Sequence, residues 1–105
     1  MNLIDQIKQA AVRKIIYTSH AVDEMNAEDK LITVAEVRQV VLNGEIIEDY
    51  PKDKRGHSCL MLGIPETQRP IHVVCAPKEE YLAIITAYIP SLEKWQEDFK
   101  TRRKK

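Results

Sequence analysis

Leu3, Ile4, Ile7, Ala10 and Ala11 recur at i, i+1, i+4, i+7 and i+8, which predicts a short amphipathic helix near the N-terminus. The β-branched pair Ile15-Ile16, within Arg13 to Tyr17, predicts a brief strand or an extended link. Ser19 is an N-cap candidate for a second helix, from His20 to about Glu28, with Ala21 and Met25 as its apolar face. Thr33-Val34-Ala35-Glu36 is a capping box, with Thr33 at the N-cap and Glu36 at N3. It opens a third helix whose stripe is Val34, Val37, Val40 and Val41, and Gly44 is expected to close it in the left-handed conformation.

From Glu45 the hydrophobic period becomes that of strands. Glu45 to Tyr50 ends at Pro51; the polar loop Lys52 to His57 precedes a second strand, Ser58 to Ile64. The stretch Arg69 to Pro90 reads as a hairpin, with strands Ile71 to Ala76 and Tyr81 to Tyr88 joined at Pro77-Lys78-Glu79-Glu80. Leu92, Trp95 and Phe99 lie at i, i+3 and i+7, which predicts a C-terminal helix from Ser91 with Trp95 and Phe99 as core anchors. Connections this short force antiparallel neighbours, because a parallel crossover needs a dozen or more residues. The expected architecture is therefore α+β. It is one domain over residues 1–105: helices over 2–44, a four-stranded antiparallel sheet over 45–88, a helix over 91–100 and a basic tail over 101–105.

Composition narrows the class. The chain is 44% hydrophobic and 30% charged, an ordinary globular balance. No apolar run approaches the length of a membrane span, and the first residues lack a basic-then-apolar leader pattern, so a cytoplasmic location is the expectation. Cys59 and Cys75 then read as free core thiols. Net charge is zero, but residues 1–50 carry five Lys/Arg against nine Asp/Glu and residues 51–105 carry eleven against seven, so a polyanion would meet the C-terminal half.

No phosphate-binding loop, dinucleotide fingerprint or H-E-x-x-H is present, and His20, His57 and His72 are too scattered to signal a metal site. No cofactor and no metal are expected. Three polar residues interrupt the hairpin: His72, Thr86 and Tyr88. Strand parity puts His72, Val74 and Ala76 on one face, and sets Leu82, Ile84, Thr86 and Tyr88 opposite Tyr81, Ala83, Ile85 and Ala87. His72 would lie beside Thr86 or Tyr88, though parity leaves open whether the three point together. His20, in the first turn of a helix, would feel the positive end of the dipole, which favours a neutral imidazole suited to a general base. Lys54 and Arg55 on the loop before Ser58 are candidates to hold a phosphate.

Several blocks in order carry a resemblance: Y-T-S-H-A-V-D-E-M (17–25), E-I-I-E-D-Y-P (45–51), K-R-G-H-S-C-L (54–60), I-H-V-V (71–74), I-I-T-A-Y-I-P (84–90) and E-K-W (93–95). Together they resemble the small bacterial and cyanobacterial family called domain of unknown function 4258. That family's second helix usually ends with an Arg before Met and an R-G-I or similar afterwards; here Glu24 precedes Met25, and Asp29-Lys30-Leu31 follows. The resemblance implies a toxin of a type II toxin–antitoxin pair with a RelE-like ribonuclease fold, whose open sheet face binds RNA. It implies metal-independent RNA cleavage by 2′-hydroxyl attack, with His20 and His72 as base or acid, Thr86 and Tyr88 as positioning groups, and Lys54 and Arg55 as phosphate clamps. Candidate partners are an RNA substrate, a small zinc-finger-type antitoxin and a second copy of the chain. The alternative is a non-catalytic module that keeps the fold and binds a partner protein.

Overall fold

A computed structural model describes residues 1–27 and 30–104. The chain runs α1 (Leu3–Arg13), β1 (Ile15–Tyr17), α2 (Ser19–Met25), α3 (Val34–Asn43), β2 (Glu45–Tyr50), β3 (Ser58–Gly63), β4 (Ile71–Pro77) and β5 (Leu82–Tyr88). The second helix stops at Met25, with Asn26 as its C-cap, short of the expected end near Glu28, and residues 28 and 29 fall outside the described residues. Each helix starts on a side-chain cap. Asn2 Oδ1 accepts from Asp5 N at 2.9 Å, and Thr18 Oγ1, one residue before the expected Ser19, accepts from Ala21 N at 3.1 Å. Thr33 and Glu36 form the full reciprocal box.

The sheet order is β1-β5-β4-β3-β2. Strands β2 to β5 are antiparallel as expected and run as a meander, but the sheet has five strands and is mixed, because β1 pairs in parallel with β5. Leu82 N donates to Lys14 O at 2.8 Å and Thr18 N to Ile84 O at 3.0 Å. The limit on short parallel crossovers does not apply to β1 and β5, since most of the chain lies between them. Ile7, Ala10, Ala11, Val37, Val40 and Val41 from the helices bury one sheet face against Met61, Ile71, Val73, Cys75, Leu82 and Ile84. Cys59 and Cys75 are cross-strand partners, both buried and free.

Three further expectations change. Gly44 is not left-handed; it is extended, with φ −80° and ψ −171°. The glycine is needed for space instead, because a Cβ there would stand 2.5 Å from Leu62 O and 2.6 Å from Val40 O. The chain passes straight from α3 into β2 through that gap.

The C-terminal helix does not form. After one turn at Ser91, where Trp95 N donates to Ser91 O at 3.0 Å, residues 91–104 fold as a strap with an isolated bridge between Trp95 and Arg102. Asp98 is the cause: its carboxylate accepts from Lys100 N at 2.9 Å, Thr101 N at 3.0 Å and Thr101 Oγ1 at 2.9 Å, a local turn that competes with helix. Phe99 takes φ 57°, and Leu92 points to solvent.

The parity of β5 is broken by a bulge. Val74 pairs with Thr86 but Cys75 pairs with Ile84, so Ile85 is an extra residue in β5. Leu82, Ile84 and Ala87 therefore face the helices, while Ala83, Thr86 and Tyr88 face away with Ala76, Val74 and His72. A second bulge at Ile47 puts Glu45, Glu48 and Tyr50 on that same far face.

Candidate functional site

The strap crosses the far face of the sheet and meets it at a polar cluster. His72 pairs directly with Tyr88 across β4 and β5 and is fully buried. Its Nε2 lies 2.7 Å from the Phe99 carbonyl, which can only accept, so Nε2 carries the hydrogen. Nδ1, 3.2 Å from the Tyr88 hydroxyl, is then the acceptor and Tyr88 the donor. Trp95, itself buried, stands edge-on to the imidazole at 4.5 Å between centroids. Burial lowers the pKa of His72, with the Phe99 hydrogen bond and the Glu48 charge opposing it in part. Burial likewise raises that of Tyr88. The pair is a neutral imidazole behind a protonated phenol.

Arg102 closes the cluster. Its Nε and Nη2 reach Glu48 Oε2 and Oε1 at 2.8 and 2.9 Å, and its guanidinium lies 4.6 Å from the Trp95 ring centroid. The Tyr50 hydroxyl donates to the same carboxylate. These bonds, led by the one from Arg102, hold Glu48 below the usual carboxylate range, and burial with the Glu48 bond pushes Tyr50 up to about 12. Lys100 Nζ adds a pair with Glu45 at 3.0 Å.

Beside this cluster opens a pocket of about 470 Å³, lined by Glu24, Tyr88, Ser91, Lys94, Trp95 and Arg102 among others. His20 does not line it; its Nε2 stands 3.8 Å from Oε1 of Glu24, which does, one helical turn on. Its imidazole is largely solvent-exposed. Thr86 lies two residues before Tyr88 on the same face, half-buried.

Of the residues singled out in the sequence, His72, Thr86 and Tyr88 thus share one face, while His20 is linked to the pocket that Tyr88 lines only through its neighbour Glu24. Lys54 and Arg55 do not join them. Cys59 pairs with Cys75, so the loop before Ser58 lies at the opposite end of β4 from His72. Arg55 there is tied to Asp53 through Nε at 3.0 Å and Nη2 at 2.9 Å. Glu48, Tyr50, Lys94 and Arg102 were not singled out. Glu48 and Tyr50 were hidden because the Ile47 bulge changes which residues of β2 share a face. Lys94 and Arg102 were hidden because a helical reading of residues 91–100 gives no hint that the tail turns back across the sheet. The one available signal was the acidic pair Glu97-Asp98 followed by the basic run from Lys100.

A family model described as Domain of unknown function (DUF4258) matches residues 17–89. The matched stretch holds His20, Glu48, His72, Thr86 and Tyr88, and stops before the strap that carries Lys94, Trp95 and Arg102. Neither the curated proteins nor the solved structures gave a match.

Proposed function

We propose, for a chain that belongs to the family described as Domain of unknown function (DUF4258), that it is an endoribonuclease working by 2′-hydroxyl attack, with no metal in the step. The observation that supports this reading is the hydrogen-bonded series Tyr88 Oη–H to His72 Nδ1 and His72 Nε2–H to Phe99 O, set at the wall of a pocket that also offers Lys94 and Arg102.

A phosphodiester placed between Lys94 and Arg102 has its charge neutralised by side chains. The ribose 2′-oxygen attacks phosphorus, and the P–O2′ bond forms as the P–O5′ bond breaks. The Tyr88 oxygen takes the 2′ proton while its own proton passes to His72 Nδ1, and the imidazolium so formed keeps Nε2–H on the Phe99 carbonyl. In this reading His20, with Glu24 beside it, serves as the acid rather than the base and supplies the proton that the departing 5′-oxygen takes up. The products are a 2′,3′-cyclic phosphate and a free 5′-hydroxyl. Burial makes His72 a weak base, which keeps Tyr88 protonated at rest and confines the transfer to the reaction itself. In this reading Thr86 contacts the ribose. The RelE-like relationship and the toxin role, with a small zinc-finger-type antitoxin as partner, belong to the same proposal.

The test is incubation of the purified chain with RNA in EDTA. Cleavage leaving 2′,3′-cyclic phosphate ends, blocked by a 2′-deoxy nucleotide at the scissile position, is the expected result. Intact RNA, or cleavage that persists in a His20→Ala/Tyr88→Phe variant, sinks the reading.

A second reading, a non-catalytic module that binds a partner protein, draws on another part of the molecule. β1 is a sheet edge with no strand on its outer side among the described residues, and Ile16 on it is exposed. Next to it a groove of about 330 Å³ is lined by Tyr17, Val22, Met25, Leu31, Ile32 and Val34 among others. Co-purification of the product of a neighbouring gene with a chain that leaves RNA intact would favour this reading.

A further inference from the structure

The two edges of the sheet differ. Along β2 the bulge at Ile47 and the charged side chains of Glu45, Glu48 and Asp49 oppose the addition of another strand. At the opposite edge β1 has no bulge, no proline and no charged side chain within Ile15–Tyr17. Its ladder with β5 fixes which backbone groups are left over. Lys14 O accepts from Leu82 N and Thr18 N donates to Ile84 O, and the residues that bond the neighbouring strand alternate. Lys14, Ile16 and Thr18 therefore face β5. The N–H and C=O groups of Ile15 and Tyr17 face outward and have no partner among the described residues.

Exposed apolar side chains gather at this edge. Ile15 and Tyr17 pack against the helix-side core, so Ile16 between them points the other way, and it is 40% exposed. On the helix side Val22, Leu31 and Val34, all exposed, line the groove that Tyr17 shares. Charge changes sign along the same edge. Arg13 and Lys14 lead into β1 and are exposed, and exposed Asp23 and Glu24 lie on α2 just after it.

We infer that β1 pairs antiparallel with β1 of a second copy about a two-fold axis at Ile16, which joins the two sheets into one. The outward backbone groups are their own complement under that axis. Ile15 of each copy stands opposite Tyr17 of the other and exchanges both N–H···O bonds with it. Ile16 stands opposite its own counterpart in the non-hydrogen-bonded position, with about 4.5 Å between Cα atoms, and the two side chains cover each other. A shift of one residue sets the outward groups of each strand against groups already bonded to β5, so the register is fixed. The antiparallel direction also brings Arg13 and Lys14 of each copy toward the acidic α2 of the other, whereas a parallel pair would set like charges together. Three residues a side make a small interface, so the association is weak and depends on concentration. It rests on neither functional reading. It shares β1 with the second one, and pairing closes that edge to a strand from another protein.

Sedimentation equilibrium of the full chain, from micromolar to millimolar protein, should show monomer and dimer in exchange. Ile16→Lys sets two ammonium groups face to face and should weaken the dimer by about tenfold or more. Ile16 lies outside the buried core, so the variant keeps the wild-type urea midpoint. Hydrogen exchange on the wild-type chain gives a readout that needs no variant. The Ile15 and Tyr17 amides should exchange about tenfold more slowly in concentrated than in dilute protein, while the Ile16 amide, bonded to β5 in both states, changes little. A monomer at every concentration overturns the inference and leaves both functional readings in place. A dimer that survives Ile16→Lys, or that forms without slowing those two amides, uses another surface and overturns it as well.

Discussion

Tyr88 and His72 face each other across β4 and β5, with the phenol donating to Nδ1 at 3.2 Å and the other ring nitrogen committed to Phe99 O at 2.7 Å. Tyr88→Phe keeps the ring and removes only the hydroxyl. Under the proposed ribonuclease reading, RNA cleavage is expected to fall at least about 100-fold in kcat with little change in KM, because that reading gives the lost group a part in proton transfer. The unfolding free energy should change by only about 1 kcal/mol, the net worth of one hydrogen bond. A variant that keeps its kcat rules out Tyr88 as the group that takes the proton.

The neutral state of His72 makes stability depend on pH. Its folded pKa lies below the ordinary value near 6.5 because burial penalises the imidazolium. The unfolded chain therefore binds a proton that the folded chain refuses. His72 contributes its full stability above about pH 6.5, and that contribution is lost as pH falls through the folded pKa. Urea unfolding midpoints should decline on the acid side of neutrality, and His72→Gln should flatten the decline. An identical pH profile in the variant assigns the slope to other groups.

Glu36 is buried at the start of α3 and carries more than the helix cap. Arg69 Nε and Nη2 reach its two oxygens at 2.8 and 2.7 Å, and Thr67 Oγ1 and Thr33 bond to it as well. These partners, Arg69 foremost, bring its pKa down from 4.5 to about 2. The stability they supply is complete above about pH 4.5 and disappears as pH falls toward about 2. Arg69→Met leaves a buried carboxylate without its cation and should cost about 3 kcal/mol, the low end for a broken buried pair because Arg69 keeps some exposure. The double variant Glu36→Leu/Arg69→Met should recover part of that loss. If it unfolds as easily as the single variant, the cost lies elsewhere.

The helices and four of the strands were legible because their signals are local: the alternating strands, the capping box at Thr33, the apolar spacing of α1. The helix–sheet packing followed from them. What escaped notice depends on contacts between segments far apart in the sequence. The bulge at Ile85 is one inserted residue, and nothing in Y-L-A-I-I-T-A-Y marks it. Ile85 O accepts from Thr18 Oγ1 at 2.9 Å, so the bulge is tied to the cap of α2 rather than to anything in β5. That single insertion turns Thr86 and Tyr88 to the face of His72. Gly44 was legible as special but for the wrong reason, since its need is room for Leu62 O and not a left-handed turn. The strap escaped because Leu92, Trp95 and Phe99 carry a helical period that the Asp98 turn overrides.

The strap also yields the last prediction, through Trp95. Its ring is buried against His72 at 90° and is covered by Arg102. Removing a buried Trp ring from a closed core costs about 3–5 kcal/mol. Here the ring holds a segment without regular secondary structure over the sheet face, so the loss falls first on local opening rather than on global unfolding. In Trp95→Ala the strap should detach: trypsin should cut after Lys94, Lys100, Arg102 or Arg103 much faster than in the wild type, while the urea midpoint of the remaining fold moves little. His72 then meets water and loses the Phe99 carbonyl. Its pKa, followed by NMR through the imidazole protons, should rise toward the ordinary value near 6.5 because burial was the largest cause of its depression. Unchanged cutting together with an unchanged His72 titration would show that Phe99, Lys100 and Arg102 hold the strap without Trp95.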